Sequence, residues 1–429
     1  MVFAVLVTLI ALTGGSSWPE AWQLLILRPL AVLLTALIVI LPGPIDHRVA
    51  RVPGWLLVAL ALVMVIQLIP LPPAWWMALP GHAPFAEAAA AAGVEQPWRP
   101  ITLSTDLTLN SLVSLIIPAA VLLGMAALRR DQRTAIAALV ISLAVLSGLL
   151  GLLQITVGPT LYFYSPANIG RPVGLFANIN HQAAVLAATI PLAAGWVVAV
   201  REVTPARAIA GAAAGVFLFA AVLVSGSRSG LLLAALAALS VPLVIGGRLR
   251  LPPRVRRLAI IGGGVVAAGL IAATWLVGRL GALDRLLAGG GDQRLEFLPI
   301  TLEILRTYSP FGSGFGTFDA AFRIAEPDAI LQLIYFNHAH NDLLELGITG
   351  GVLALVVAAA YLAWLCWRGV ALFVKGQDWS SRPLARGALV MALLLLLASL
   401  LDYPLRTPLA MAMLALASVW VAGRRGSVE

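Results

Sequence analysis

The chain has 429 residues, of which 61% are hydrophobic and only 11% charged, with a formal net charge of +9 and a mean hydropathy of +0.97. Soluble domains carry about twice that share of charge, and continuous apolar runs of about 18 residues or more read as membrane helices. The composition therefore predicts an all-α integral membrane protein. It excludes a transmembrane β-barrel, whose strands would alternate polar and apolar residues.

In chain order, hydropathy predicts about twelve spans, near residues 2–17, 22–41, 54–70, 109–128, 134–156, 181–200, 207–224, 230–246, 255–277, 347–367, 386–402 and 406–422. The first begins Met1-Val2-Phe3-Ala4, without the basic segment of a cleavable leader, and reads as a retained helix ending in Gly14-Gly15-Ser16-Ser17. Ala/Gly-rich faces such as Ala210–Gly215 suit close helix packing. The lone Cys366 lies inside the tenth predicted span, so the sequence holds no disulfide framework. Residues 1–429 read as a single polytopic domain, with one large loop, 278–346, that is partly helical.

Numbering the loops alternately from the N-terminus puts 18 of the 28 Lys and Arg, but 5 of the 19 Asp and Glu, on one side. That side has a net charge of +13 and the other −4. The excess of basic residues makes the first side cytoplasmic, with both termini inside. These arginines are scattered over short links rather than gathered on one face, so no nucleic-acid partner is expected.

The chemistry-bearing segments fall on the outer side. The loop at 71–108 holds Trp75-Trp76 and Trp98, an interfacial belt. The next carries Gly170-Arg171-Pro172-Val173-Gly174-Leu175-Phe176-Ala177-Asn178-Ile179-Asn180-His181. A short turn follows, Ser225-Gly226-Ser227-Arg228-Ser229-Gly230. The large loop holds an amphipathic stretch, Asp292 to Tyr308, then Pro310-Phe311-Gly312-Ser313-Gly314-Phe315-Gly316 and Asn337-His338-Ala339-His340-Asn341-Asp342.

Arg171, Arg228, Arg294, His338 and His340 thus share one side. Arg306 and Arg323 read as surface ion pairs or headgroup contacts. Arg228 reads differently, because small residues around it leave backbone N–H groups open and a guanidinium fork suits a phosphate oxygen pair. The glycine run has no preceding strand and no phosphate-loop lysine after it, so it reads as a substrate loop, flexible or tightly turned, rather than a nucleotide site. His338 and His340 lack a third ligand at a usual metal spacing. Imidazole titrates near neutrality and suits proton abstraction from a hydroxyl. Asn337, Asn341, Asp342 and Glu345 could orient it, and a structural role for one of the two histidines stays open.

Taken in order, Gly174-Leu175-Phe176-Ala177-Asn178, Asn180-His181, Ser227-Arg228-Ser229-Gly230, Arg294, Pro310–Gly316, and His338 to Ile348 with Gly350 resemble the O-antigen ligase and O-antigen polymerase superfamily. The resemblance runs from about residue 150 to 410 and includes Asp402-Tyr403-Pro404-Leu405-Arg406. It implies a GT-C-type glycosyltransferase of the bacterial inner membrane, acting on the periplasmic face without metal or other cofactor. The implied donor is a glycan on undecaprenyl diphosphate. The acceptor is lipid A-core or another lipid-linked repeat unit. Carried over by motif, His340 is the base candidate, with His338 an extra neighbour. Arg228 and Arg294 hold the diphosphate, Arg171 is a further candidate, and Asn341, Asn180 and Ser227 are secondary contacts. The arginines and an imidazole are expected to converge in one external cavity. The competing class is a lipid-linked oligosaccharide flippase or other envelope transporter, which would need polar groups near the bilayer midplane, where these spans hold almost none. A non-catalytic scaffold would leave the outward arginines and paired histidines without a role.

Overall fold

The computed structural model describes residues 1–41, 45–164, 169–246, 296–328, 331, 336–373 and 382–423. The span expected at 255–277, Arg294 and the first part of the 278–346 loop lie outside these residues. The described part is helical almost throughout, which establishes the all-α membrane class. Eight of its helices are long and apolar enough to cross a bilayer: Gln23–Ile40, His47–Leu68, Thr105–Ala126, Arg130–Val157, Pro205–Ser225, Arg228–Ile245, Asp342–Phe373 and Pro383–Leu401. Val2–Thr13 and Pro408–Ala422 are shorter apolar helices. The first helix stops at Thr13 rather than near 17, with Gly14 as its C-cap.

The chain divides into two compact units. The first comprises Met1–Gly54, Ile117–Leu287 and Trp364–Glu429. Within it the helix Ile179–Val197 packs against Arg130–Val157, Pro205–Ser225, Arg228–Ile245 and Pro383–Leu401. Small side chains allow this crowding: Ala183, Ala184, Ala187 and Ala188 are fully buried along its length. A Cβ on Gly387 would collide with the carbonyl of Pro191, so the helices approach at backbone distance there. The Gly14-Gly15 pair serves the same purpose. Gly15 N–H donates to the Tyr164 hydroxyl at 2.7 Å, Ala177 N–H donates to Gly15 O at 3.0 Å, and a Cβ on Gly15 would strike Leu175. Burial pushes the Tyr164 hydroxyl up to about 12, against the smaller lowering effect of the Gly15 bond.

Arginines of the basic side close the helix ends of this unit. Arg133 Nε donates to Met125 O, Arg207 to Trp196 and Val197 O, and Arg368 to Val421 O, with Arg386 reaching Leu243 O at 3.4 Å. Each meets carbonyls at or near a helix C-terminus, which lack intrahelical donors and carry partial negative charge.

The second unit comprises Trp55–Ile116 and Ala288–Ala363. A core of Phe297, Phe318, Phe322 and Phe336, with Ile304, Tyr308 and Ile348, joins the amphipathic helices Leu298–Tyr308 and Phe318–Ala325 to the loop before Asp342. A two-residue antiparallel ladder pairs Pro70 with Pro100 and Leu71 with Arg99. The glycine run is the tightly turned alternative. Helix Asp342–Phe373 breaks at Gly351 (φ 64°), and Ser313 and Gly314 N–H donate to the freed carbonyls of Ile348 and Thr349 at 2.9 and 3.0 Å. Gln67 completes the join, donating to Phe311 O and Thr349 O and accepting from Phe315 N–H. Gly314 (φ 106°) leaves no room for a Cβ against Thr102, so only glycine fits.

Candidate functional site

Two polar clusters stand out, one in each unit. In the first, Ser227 is the N-cap of helix Arg228–Ile245, its Oγ accepting from Gly230 N–H at 3.1 Å. That bond fixes the turn the sequence singled out and makes Arg228 the first helical residue. The Arg228 side chain is exposed and has no hydrogen-bond or ion-pair partner among the described residues. A guanidinium at a helix N-terminus, where backbone N–H groups and the helix dipole also favour negative charge, is chemically suited to an anion.

Behind Arg228 the turn is tied inward. The Ser227 hydroxyl donates to Asn180 Oδ1 at 2.8 Å, and Asn180 Nδ2 donates to Asp402 Oδ2, also at 2.8 Å. Asp402 is buried, its Oδ1 accepting from Tyr403 N–H at 3.1 Å and lying 4.0 Å from His181 Nε2. The His181 ring packs edge-on against Tyr403, with centroids 4.9 Å apart. Asn180 and His181 open the helix Ile179–Val197, capped by Asn178. Asp402 and Tyr403 lie between the helices Pro383–Leu401 and Pro408–Ala422, the latter capped by Thr407. Arg171 belongs to the same unit and is exposed; its carbonyl accepts from the Tyr162 hydroxyl at 3.0 Å. Asp402 and His181 are the residues to which sequence reasoning gave no role. Their signal was a carboxylate and an imidazole at the edges of otherwise apolar spans.

In the second unit, Asn341 Oδ1 accepts from Leu344 N–H at 3.0 Å and so caps the helix that begins at Asp342. Glu345, one turn on and buried, reaches back over the loop. Its carboxylate takes His338 Nδ1 at 3.0 and 3.2 Å and Ala339 N–H at 3.0 Å. This contact fixes the His338 ring with Nδ1 as donor. His340 is half-buried against Phe336, ring centroids 5.2 Å apart, with backbone φ at 49°. It is the one non-glycine residue with positive φ among the described residues. Such a conformation disfavours a side chain and recurs where a loop has been shaped for function.

Residues 213–359, about a third of the chain, match the family model for O-antigen ligase. Over this segment the chain is O-antigen ligase-like. No curated protein matches it. The O-antigen ligase-like segment contains Ser227, Arg228, the glycine run, His338, His340 and Glu345, and in sequence Arg294. Arg171, Asn180, His181 and Asp402 fall outside it. With its apolar helices, the match makes the chain similar to multi-pass membrane transferases of the O-antigen ligase kind. The similarity implies a lipid-linked glycan donor and a lipid-embedded acceptor.

Proposed function

We propose that the protein transfers a glycan from undecaprenyl diphosphate to an acceptor hydroxyl on the periplasmic face, with both termini in the cytoplasm. The acceptor is lipid A-core or a second lipid-linked repeat unit. Arg228, with Arg171 and Arg294, holds the donor diphosphate, and His340 removes the acceptor proton. As the bond between the anomeric carbon and the diphosphate oxygen breaks, negative charge grows on the leaving group, and positioned guanidinium groups stabilise it. The acceptor oxygen attacks the anomeric carbon and its proton passes to the imidazole.

The observation that carries this reading is the exposed Arg228 at the head of a capped helix in an O-antigen ligase-like segment. The second cluster supports the division of labour between the histidines. Glu345 holds His338, which makes it the anchor of the loop, and the anchored loop presents His340 in its unfavourable backbone conformation. His340→Ala in the native host is expected to stop transfer while lipid-linked donor accumulates. A glycan profile like wild type at normal expression would remove His340 from the mechanism. Loss of polymer length in the same strain would mark a polymerase, and loss of attachment to lipid A-core a ligase.

A further inference from the structure

The hydrogen bonds behind Arg228 form a chain with one direction. A carboxylate can only accept, so Asp402 Oδ2 draws the NH₂ end of Asn180 toward itself. That orientation turns Asn180 Oδ1 toward Ser227, which must then donate its hydroxyl proton to Asn180. The remaining lone pairs of Ser227 Oγ are left for Gly230 N–H, the bond that sets the first turn of the helix and with it the backbone of Arg228. The links join residues 222 and 47 positions apart. Every member lies in the first unit and is at least half-buried, whereas Arg228 is exposed. Asp402 is itself fixed by Tyr403 N–H and faces His181.

We propose that Asp402, acting through Asn180 and Ser227, is a positioning residue for Arg228. This rests on the reading that Arg228 holds the donor diphosphate. The acidic group touches no substrate: it sets the polarity of an amide and a hydroxyl, and these hold the arginine-bearing turn in register.

The test uses the full-length protein in detergent or vesicles, with a synthetic polyprenyl-diphosphate-linked glycan as donor. Asn180→Ala and Asp402→Leu are each expected to raise the donor KM about tenfold or more, and the double variant no further than the worse single one, because one chain is cut twice. Ser227→Thr, which keeps the hydroxyl, is expected to recover most of what Ser227→Ala loses. Thermal unfolding midpoints followed in parallel separate positioning from folding. Additive losses, or losses that track the unfolding midpoint, overturn the proposal. So does wild-type KM in Asn180→Ala. If Arg228→Ala itself keeps wild-type donor KM, the diphosphate reading fails instead, whatever the other variants do.

Discussion

His340 carries a conformational cost in its own backbone, since an L-residue at φ 49° is disfavoured by about 1 kcal/mol or more. Asparagine tolerates that region better than most residues but has no group that titrates near neutrality. His340→Asn is therefore expected to unfold at the same temperature as wild type or slightly higher, and to lose about 10²-fold or more in turnover. Unfolding and transfer measured on one preparation check this, and a variant that loses stability and activity together contradicts it. Arg228→Lys keeps the charge and loses the fork, so its donor KM should rise about tenfold or more. Unchanged kinetics would show that charge alone suffices. Both residues were legible in sequence because polar groups are scarce in this chain and each sits in a short polar segment. Asp402 was visible only as part of a motif. Its link to Asn180, 222 positions away, is a product of tertiary packing that no local pattern encodes.

At the scale of the helix, eight long apolar helices fall at expected spans, and several of their ends differ. His47–Leu68 begins seven residues before the apolar run expected at 54, with Arg48 and Arg51 in its first turns. Long basic side chains can lie along a helix and keep their heads in water, so a helix continues past its apolar stretch. Conversely, Ile179–Val197 is not among the eight helices that meet the length and hydropathy of a span, yet almost all its residues are buried within the protein. Arginines counted in the charge asymmetry of the loops also close helix ends. The glycine run illustrates the limit of local reading: its spacing suggested a turn, and the partner that requires it, the break at Gly351, lies 35 residues on from Gly316. Gln67 is the buried side chain that joins the two. Gln67→Leu leaves the Phe311 carbonyl and the Phe315 N–H without their partner, while Thr349 O keeps Gly314 N–H, and is expected to cost about 1–3 kcal/mol for each group left unsatisfied. Unfolding in detergent measures this. A variant as stable as wild type would show that the break holds itself.

For the whole molecule, composition alone fixed the membrane class, because a chain that is 11% charged cannot cover a water-facing surface of this size. The residues of the proposed chemistry fall in both units: Arg171, Arg228 and the Asp402 chain belong to one, His338, His340 and Glu345 to the other. The proposed reaction needs no energy source, since the diphosphate leaving group carries the activation, whereas a transporter moving the same lipid against a gradient would need one. The decisive measurement is transfer by the purified protein from a synthetic undecaprenyl-diphosphate-linked glycan to a lipid acceptor, without nucleotide or ion gradient. The wild type is expected to form the glycosidic product and release undecaprenyl diphosphate, while Arg228→Ala and His340→Asn, folded to the same extent, form little or none. Full product from either variant, or no product from the wild type unless energy is supplied, would contradict the account.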